Sequence, residues 1–583
     1  MKPNIRPFMP CSGWLPEYSR QLLLKDTIAS ASISALMIPQ AMAYAMLAGL
    51  PPQLGLYACI LPLLAYSFWG SSGALSIGPF AITSIMTAAA LSQLFPLDSY
   101  SLDDRIVAAA LLALLSGLLL ITAGVLRLGF LTNFISLPVV SGFISASALI
   151  IAASQFSNII GMPTVDSEDW PHSYELSQVL VTINPITLAV SGISLAGLIL
   201  LPRLLKAGLP KIGVTSTTTA TVAKCSPLVV LAIATGSSAY WDWHQLGLAV
   251  VGDIPSGLPD IRLPDWHHSD WSESLWSELL KSAALISIIG YISALSTAQL
   301  FAAKQRQRIN PNREAVSLGA ANLASSVSGA FPVAASLSRS AVAFNAGAAT
   351  PAASAITAIA IALATCFLPP YFYHLPIASL AALILLTVTS LVDIDAMRRC
   401  WHYSRKDFAA LAATFAITLA GSIEQGLITG ILLSIGLHLY RSSHPHSAVM
   451  GLIPGTHHFR NIERHEVITD SGLIIYRIDA SLYFANTAFL QDQANRLVAR
   501  YPEAKHLLLV CSAINDIDAS AMEGLITLND QLYNAGIRLH LSEVKGPIMD
   551  RFQHSSLPHN LHGEIFLDTY DAWSKLTGRG NTH

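Results

Sequence analysis

The chain has 583 residues, of which 52% are hydrophobic and 12% are charged, and its formal net charge is −3. Soluble globular domains carry about 25% charged residues, so this composition excludes an ordinary soluble protein and predicts a surface that mostly faces lipid. None of the six cysteines forms a CxxC pair or lies beside a histidine at metal-ligand spacing. We therefore predict no disulfide framework, metal site or cofactor, and no nucleic-acid partner.

Apolar segments of spanning length follow one another from residue 25 to residue 441. A helix needs about 20 apolar residues to cross a bilayer. We predict about fourteen spans, at 25–47, 53–70, 75–95, 106–126, 129–160, 176–202, 217–240, 275–303, 313–330, 336–349, 351–370, 375–394, 407–422 and 424–440. Residues 1–24 are then a cytoplasmic N-terminal segment, and 25–441 form a transmembrane transport domain.

Basic residues between the spans indicate the orientation, because Lys and Arg concentrate in short cytoplasmic loops. They follow the sixth, eighth and twelfth spans, at Arg203, Lys206, Lys211, Lys304, Arg306, Arg308, Arg313, Arg398, Arg399, Arg405 and Lys406. The segments after the fifth and seventh spans, 163–175 and 241–275, are instead rich in acidic residues. An even number of spans then predicts a multi-pass protein of a cell inner membrane with both termini in the cytoplasm.

The character of the chain changes after residue 441, where SSHPH (442–446) opens a predicted linker at 442–455. Beyond it, short strands and helices are predicted to alternate, at 472–478, 486–500, 506–512, 519–535 and 537–544. None of these runs is long enough to span a bilayer. The alternation predicts a small cytoplasmic α/β domain at 456–583.

Two of the predicted spans open on segments that do not suit a continuous helix. SIGPF (76–80) opens the third span and FPVAASLSRS (331–340) opens the tenth, and each places Pro, Gly or Ser at membrane depth. Irregular backbone is tolerated there only where it is buried in protein or lines a cavity. Because the third and tenth spans hold corresponding positions in two halves of seven, they predict an inverted repeat with its binding site at the paired interruptions.

Half-helices that begin inside a membrane present their N-termini there. Each end carries unpaired N–H groups and about half a positive charge, so two facing ends make an anion site. Arg339 lies at the second interruption and is a functional candidate, although bonding to carbonyl groups would explain it structurally. In the first span Pro39 predicts a break, and Gln40 and Tyr44 share one helix face. The structural alternative is that Gln40 bonds the carbonyl freed at Pro39 and that Tyr44 packs.

Several segments carry a resemblance to a known family. PQAMAYAMLAGLPPQLGLY (39–57), FWGSSGALSIGPFA (68–81) and the stretch 312–351 resemble the sulfate permease (SulP) family, the relatives of solute carrier family 26. CSAINDIDASAMEGL (511–525) and SEVKGPIMDRF (542–552) resemble its STAS domain. The resemblance covers nearly the whole chain in the same order.

The resemblance implies an all-α polytopic membrane domain of about fourteen spans in a 7+7 inverted repeat, followed by a small α/β STAS domain, in a homodimer. It implies a secondary transporter of small inorganic anions, most simply sulfate, rather than an enzyme. The transport cycle would be an elevator-type alternating access, with the anion held between the N-termini of spans 3 and 10. By motif position, the residues expected to line the site are Gln40, Tyr44, Phe80, Ala81, Ser338, Arg339 and Ser340.

Other functions stay open at this point. Within the family, the alternatives are a bicarbonate or chloride/dicarboxylate transporter or exchanger, or an anion channel. The alternative from another class is a membrane scaffold whose STAS domain recruits a cytoplasmic protein partner.

The chain departs from the family pattern at two positions. Many bacterial members carry Glu where this chain has Gln40, and an acidic residue near the position of Ser293. Neither an amide nor a serine hydroxyl exchanges a proton near neutral pH. Exchange or uncoupled conduction is therefore favoured over symport, and the coupling ion is left open. Asp26 and Glu424 remain at the membrane edges, where we predict them to be helix-end residues.

Ser520 lies near the position at which related anti-sigma-factor antagonists carry a phosphorylated serine, so we predict a regulatory site there. The alternative is that Asp518 or Ser520 is a plain helix N-cap. No Walker-type glycine-rich loop occurs in the sequence, so nucleotide-driven transport is not predicted.

Overall fold

The computed structural model describes residues 14–96, 99–130, 135–162, 183–212, 219, 222–223, 226–265, 271 and 273–579. It divides into two compact units, Met1–Ser434 and Ile435–His583. The acidic segment 163–175, which contributed to the predicted orientation, lies outside the described residues.

The first unit is helical, and every predicted span contains a helix. In chain order the principal helices are α1 (Arg20–Leu47), α2 (Pro52–Trp69), α3 (Ala81–Leu94), α4 (Leu102–Val125), α5 (Leu137–Ser154), α6 (Pro185–Gly208), α7 (Ser226–Tyr240), α8 (Glu273–Lys304), α9 (Pro311–Val327), α10 (Leu337–Asn345), α11 (Ala352–Phe367), α12 (Ile377–Thr389), α13 (Arg405–Ala420) and α14 (Ile423–Ser443). Shorter helices lie at Phe156–Ile160, Pro369–Phe372 and Ile394–Tyr403. In the described part of the chain, seven helices are long and apolar enough to cross a membrane. Three shorter helices, α3, α7 and α11, are also apolar.

The helix ends follow local capping chemistry. Ser101 and Asp104 form a capping box at the start of α4, and the Asn310 side chain accepts two N–H groups at the start of α9.

The predicted break at Pro39 is wrong, because α1 is continuous through this residue. Pro39 is buried among other helices, and neighbouring helices in a membrane protein can satisfy the backbone group that a proline frees.

The helices form two bundles, and each bundle draws the same ordinal positions from both halves of the chain. The first bundle contains α1–α4 and α8–α11, and the second contains α5–α7 and α12–α14. The central α4–α9 contact is close because Gly117 faces Gly319: a Cβ added at Gly117 would lie 2.9 Å from the Gly319 carbonyl oxygen. This is the arrangement expected of two repeats of seven spans.

Two very short strands precede the two half-helices of the first bundle. β1 (Ile77–Gly78) leads into α3, and β2 (Ala334–Ala335) leads into α10. They pair antiparallel, with Ile77 opposite Ala335 and Gly78 opposite Ala334. The predicted paired interruptions are therefore confirmed, and the ladder brings the two helix starts to one place.

The second unit contains a six-stranded sheet in the order β4-β3-β5-β6-β7-β8. Its strands are β3 (Ser447–Leu452), β4 (Phe459–Asn461), β5 (Leu473–Ile478), β6 (His506–Val510), β7 (Arg538–Ser542) and β8 (Ile565–Phe566). The pairs from β5 to β8 are parallel, whereas β3 and β4 are antiparallel to their neighbours. The principal helices are α15 (Thr487–Arg500), α16 (Ala519–Asn534), α17 (Gly546–Gln553) and α18 (Thr569–Thr577).

Alternation along the central strands places apolar side chains on both faces of this sheet. Leu507 and Leu509 of β6 pack in one apolar core with α15 and α16, and Leu508 packs in a second core with Trp573 of α18. The predicted linker 442–455 contains β3, so this part of the prediction is wrong. β3 is hydrogen-bonded to both β4 and β5, and these residues belong to the sheet.

Candidate anion site

The β1–β2 ladder is extended by two hydrogen bonds that tie the half-helices together. The Ser336 N–H donates to the Ser76 carbonyl oxygen at 3.2 Å. The Ser76 N–H donates in turn to the Ser340 hydroxyl at 3.0 Å. Ser340, predicted to bind substrate, is thus fully buried and bonded to the opposite segment. Its hydroxyl therefore helps to join the two segments, and its contact with an anion stays a prediction.

The two helix starts carry polar N–H groups that their caps do not satisfy. Phe80 and Ser336 are the N-cap residues of α3 and α10, and neither side chain accepts a hydrogen bond from the first turn. The first N–H groups of a helix have no partner within the helix and carry a partial positive charge. Ala81 is buried at the first position of α3, and Ser338 is exposed in the first turn of α10. The structure therefore brings Phe80, Ala81 and Ser338 to the paired helix starts.

A cavity of about 610 Å³ opens beside these starts. Phe80 and Leu337 line it from α3 and α10, Ser293 lines it from α8, and α5 forms the facing wall. Asp393 and Arg399 line another part of it and lie 3.8 Å apart as an exposed ion pair. The cavity therefore separates the first bundle from the second. Ser293, near which the sequence was expected to depart from the family pattern, is one of its lining residues.

Arg339 lies in the first turn of α10 and is fully buried. None of its three guanidinium nitrogens has a hydrogen-bond partner among the described residues. A Cβ built on Gly78 would be 3.6 Å from Nη2 of Arg339 and 2.2 Å from Cε of Met37, so the backbone of β1 passes close to the guanidinium. Burial of an unpaired cation is costly, so this position calls for negative charge nearby.

Gln40 and Tyr44 are both buried on α1, with exposures of 2% and 4%. The Gln40 Oε1 atom has no hydrogen-bond partner among the described residues. The Tyr44 hydroxyl and the Cys59 thiol both lie close enough to Arg339 to interact with it electrostatically. Sequence reasoning missed Cys59, which belongs to no polar motif. It singled out SIGPF, which contains Gly78, but it could not show that this backbone approaches Arg339.

The two acids predicted as helix-end residues have different surroundings. Asp26 is fully buried and accepts hydrogen bonds from the Ala349 N–H at 2.8 Å and the Thr350 hydroxyl at 2.6 Å. It therefore ties α1 to the loop after α10, which a helix-end role would not do. Glu424 lies at the start of α14 and accepts from the Ser282 hydroxyl at 2.8 Å.

In the second unit, Asp518 is the N-cap of α16 and accepts the Ala521 N–H at 2.8 Å. Its other oxygen accepts the Phe484 N–H at 2.9 Å. The capping alternative is therefore confirmed for Asp518. Ser520 is exposed in the first turn of α16, and its regulatory role stays a prediction.

The fold and the site together define a class of protein. A two-bundle helical membrane domain presents two opposed half-helix N-termini beside a buried arginine, and a separate α/β domain follows it. The model of the sulfate permease family matches residues 23–414, and that of the STAS domain matches residues 464–572. The chain belongs to the sulfate permease family, and it is a multi-pass membrane transporter rather than an enzyme.

Individual relatives cover most of the chain. It is 33% identical over 561 residues to sulfate transporter 4.1, chloroplastic, of Arabidopsis thaliana, with 91% of this chain and 77% of the relative covered. It is also 33% identical to a probable sulfate transporter of Mycobacterium tuberculosis, with 94% and 96% covered. Among solved structures, the murine solute carrier 26 family member A9 anion transporter aligns at a TM-score of 0.86 and 22% identity, covering 99% of this chain and 95% of that one. At this identity, the similarity to the murine structure shows that the two chains share a fold.

Proposed function

We propose that this protein is a secondary transporter of small inorganic anions, with sulfate as the principal substrate. The observation that carries the proposal is the β1–β2 ladder, which sets the N-termini of α3 and α10 beside the buried Arg339. One guanidinium and two helix ends of about half a charge each supply roughly two positive charges. A divalent oxyanion would balance them, and the names of the two relatives at 33% identity support sulfate.

The two bundles support an alternating-access cycle in which the first bundle carries the anion past the second. The cavity of about 610 Å³ reaches the helix starts from the side of Asp393 and Arg399. A second cavity of about 190 Å³ lies between α1 and α12, where it is lined by Leu47, Gln155 and Asn158. A shift of one bundle along the other would close the first space and enlarge the second. By the distribution of basic residues, the first cavity faces the cytoplasm, as do both termini.

Gln40 and Ser293 support anion exchange over proton symport at this site. Ser293 lines the cavity, and its hydroxyl donates to the Ala335 carbonyl oxygen at 3.4 Å. Neither side chain can carry a proton together with the anion. The functional oligomer is a homodimer in a cell inner membrane, and its STAS domain is available to bind a cytoplasmic protein partner.

The test is initial uptake of radiolabelled sulfate into proteoliposomes that contain the purified protein. Unlabelled sulfate, bicarbonate, chloride and oxalate are added outside as competitors, and each is loaded inside as a counter-anion. We expect saturable uptake that internal sulfate accelerates and external sulfate competes most strongly. Stronger competition by bicarbonate would reassign the substrate. Large currents without saturation would make the protein a channel, and no flux would support a scaffold.

A further inference from the structure

Helix α9 makes side-chain hydrogen bonds to the segments in front of both half-helices. Near its C-terminal end, the buried Asn322 accepts the Val333 N–H at 2.9 Å and donates to the Val333 carbonyl oxygen at 3.0 Å. It also donates to the Leu318 carbonyl oxygen at 2.9 Å. Ser325 donates to the Phe331 carbonyl oxygen at 2.6 Å. These side chains hold the backbone immediately before β2.

Near its N-terminal end, α9 holds the segment that leads to β1. The Ser317 hydroxyl donates to the Trp69 carbonyl oxygen at 2.7 Å, and Nε of Arg313 donates to the same oxygen at 3.2 Å. The fully buried Glu314 accepts from the Tyr66 hydroxyl at 2.9 Å and from the Ser71 hydroxyl at 2.7 Å. One end of α9 therefore bonds the backbone just before β2, and its other end bonds the end of α2, from which the chain runs on to β1.

The ladder between these segments is too short to define its own geometry. β1 and β2 contribute two residues each, and isolated pairs of strands are marginal even when they are longer. A displaced helix start would change the distance from its N–H groups to the anion. Further hydrogen bonds must therefore fix the two segments, and α9 supplies them directly before β2 and, through the end of α2, upstream of β1.

We infer that α9 positions the N-termini of α3 and α10 relative to each other, and that Asn322 is the positioning residue for α10. This inference rests on the proposed anion site. Asn322 acts through the Val333 backbone and needs no contact with the anion. Its amide serves Val333 as a neighbouring strand would, since it offers one donor and one acceptor to the same residue.

A matched pair of substitutions tests this inference. Asn312 lies on the same helix, and its Oδ1 accepts the Gly129 N–H at 2.9 Å. A carboxylate at 312 can still accept this bond, so Asn312→Asp should preserve the contact. Asn322→Asp also keeps the acceptor for the Val333 N–H, but it loses the two amide N–H donors that bond the Val333 and Leu318 carbonyls: an ionised carboxylate repels both oxygens, and a protonated one can donate to only one of them. The same change on one helix thus breaks the contact only at position 322.

We expect Asn322→Asp to raise the KM for sulfate about tenfold, the effect of one lost buried hydrogen bond, with a smaller change in maximal rate. Asn312→Asp should transport like the unmodified protein. Hydrogen exchange in the full-length protein should become faster across 333–341 in Asn322→Asp and stay unchanged there in Asn312→Asp. Equal KM values and equal exchange in the two variants would overturn the inference.

Two further outcomes keep the inference separate from the proposed function. If Asn322→Asp does not insert as a monodisperse protein, Asn322→Ser replaces it. Serine can keep a bond to the Leu318 carbonyl one turn back, but it is too short to retain both bonds to Val333. If the unmodified protein shows no saturable uptake, the proposed function fails, and the exchange of 333–341 still decides whether Asn322 positions α10.

Discussion

The two bundles of the membrane unit differ in what they bury. Among the described residues of this unit, the buried charged side chains are Asp26, Arg105, Glu314 and Arg339, and all lie in the first bundle. The buried polar side chains described in the second bundle are hydroxyls and one amide, that of Gln155. A hydroxyl in a helix can donate its hydrogen bond to the carbonyl oxygen one turn back, as Thr414 and Thr418 do, so it needs no partner from another helix. The buried charged groups that can bind an anion therefore lie in the first bundle, and the second bundle faces them with a surface whose buried polar groups are mostly hydroxyls.

The largest expected effect comes from removing the buried cation. Arg339→Ala should reduce affinity for sulfate by ten- to a hundredfold, because a charge-assisted bond contributes roughly 1.5–3 kcal/mol. Thermal stability should be unchanged or higher, since an unpaired buried charge is lost. Uptake kinetics and a melting curve in detergent measure both effects. The control is Arg398→Ala, which alters an exposed arginine. Equal kinetics in the two variants would remove Arg339 from the site.

A second test compares one glycine from each bundle. Gly78 has φ of +154°, and an added Cβ would meet Cε of Met37 at 2.2 Å, whereas nothing lies within 4 Å of a Cβ at Gly192 in α6. Gly78→Ala should lower the transport rate roughly tenfold, because strain of about 1–3 kcal/mol would displace β1 and the start of α3. Gly192→Ala should leave uptake within about twofold of normal. Wild-type rates in Gly78→Ala would show that β1 tolerates displacement.

A carboxylate placed beside the site should make transport depend on pH. In Gln40→Glu, an ionised carboxylate repels the bound anion and must be protonated before the anion binds. Uptake should therefore rise several-fold as the pH falls from 8 to 5.5, at clamped membrane potential. The unmodified protein should give a nearly flat profile, and so should Gln425→Glu at the exposed start of α14. Strong acceleration of the unmodified protein by an inward proton gradient would contradict the argument from Gln40.

The smallest effect on transport is expected from titration in the C-terminal unit. The buried His540 accepts the Glu564 N–H through Nδ1 at 3.0 Å, and its Nε2 lies 3.0 Å from Nδ1 of His506. Burial, and then the neighbouring His506, lower the pKa of His540 to about 4. Burial also lowers the pKa of His506. Between pH 4 and the ordinary value of about 6.5, the unfolded chain therefore binds more protons than the folded one.

It follows that the C-terminal unit should lose stability as the pH falls. The expected loss is about 2 kcal/mol in the free energy of unfolding between pH 7 and pH 5. Calorimetry of the full-length protein in detergent would show it as a lower Tm for the transition of this unit. His540→Gln should flatten the dependence, whereas His559→Gln, an exposed histidine, should not. A Tm that rises on acidification would refute the assigned direction.

Most of the architecture could be predicted from local patterns. Apolar segments of the sequence located a helix in each of the fourteen predicted spans, and seven of the described helices are long and apolar enough to cross a membrane. The Pro, Gly and Ser residues of SIGPF and FPVAASLSRS, which do not suit a continuous helix, located both half-helix starts. The predictions failed where a distant partner decided the outcome. β3 fell inside the predicted linker because its pairing with β5 has no local signal.

Partners far apart in the chain also explain what was missed at the site. Asp26 bonds a loop 323 residues away, and Glu314 bonds the Ser71 hydroxyl 243 residues away. Asn322 was overlooked because an asparagine in an apolar helix gives no sign of what it bonds. Ser340 was predicted to bind substrate from its place in a motif; its hydroxyl accepts the Ser76 N–H, and its contact with an anion stays a prediction.

The sequence by itself determined that this chain crosses a membrane many times, that two of its spans are interrupted, and that an arginine lies at the second interruption. Composition and periodicity carry this information because each span must satisfy lipid and its own backbone bonds locally. Only the tertiary structure decided that β1 and β2 pair, that Gly78 brings the backbone against Arg339, and that α9 bonds both the backbone before β2 and the end of α2. These contacts join residues more than 200 positions apart or depend on how helices pack, so no local pattern encodes them.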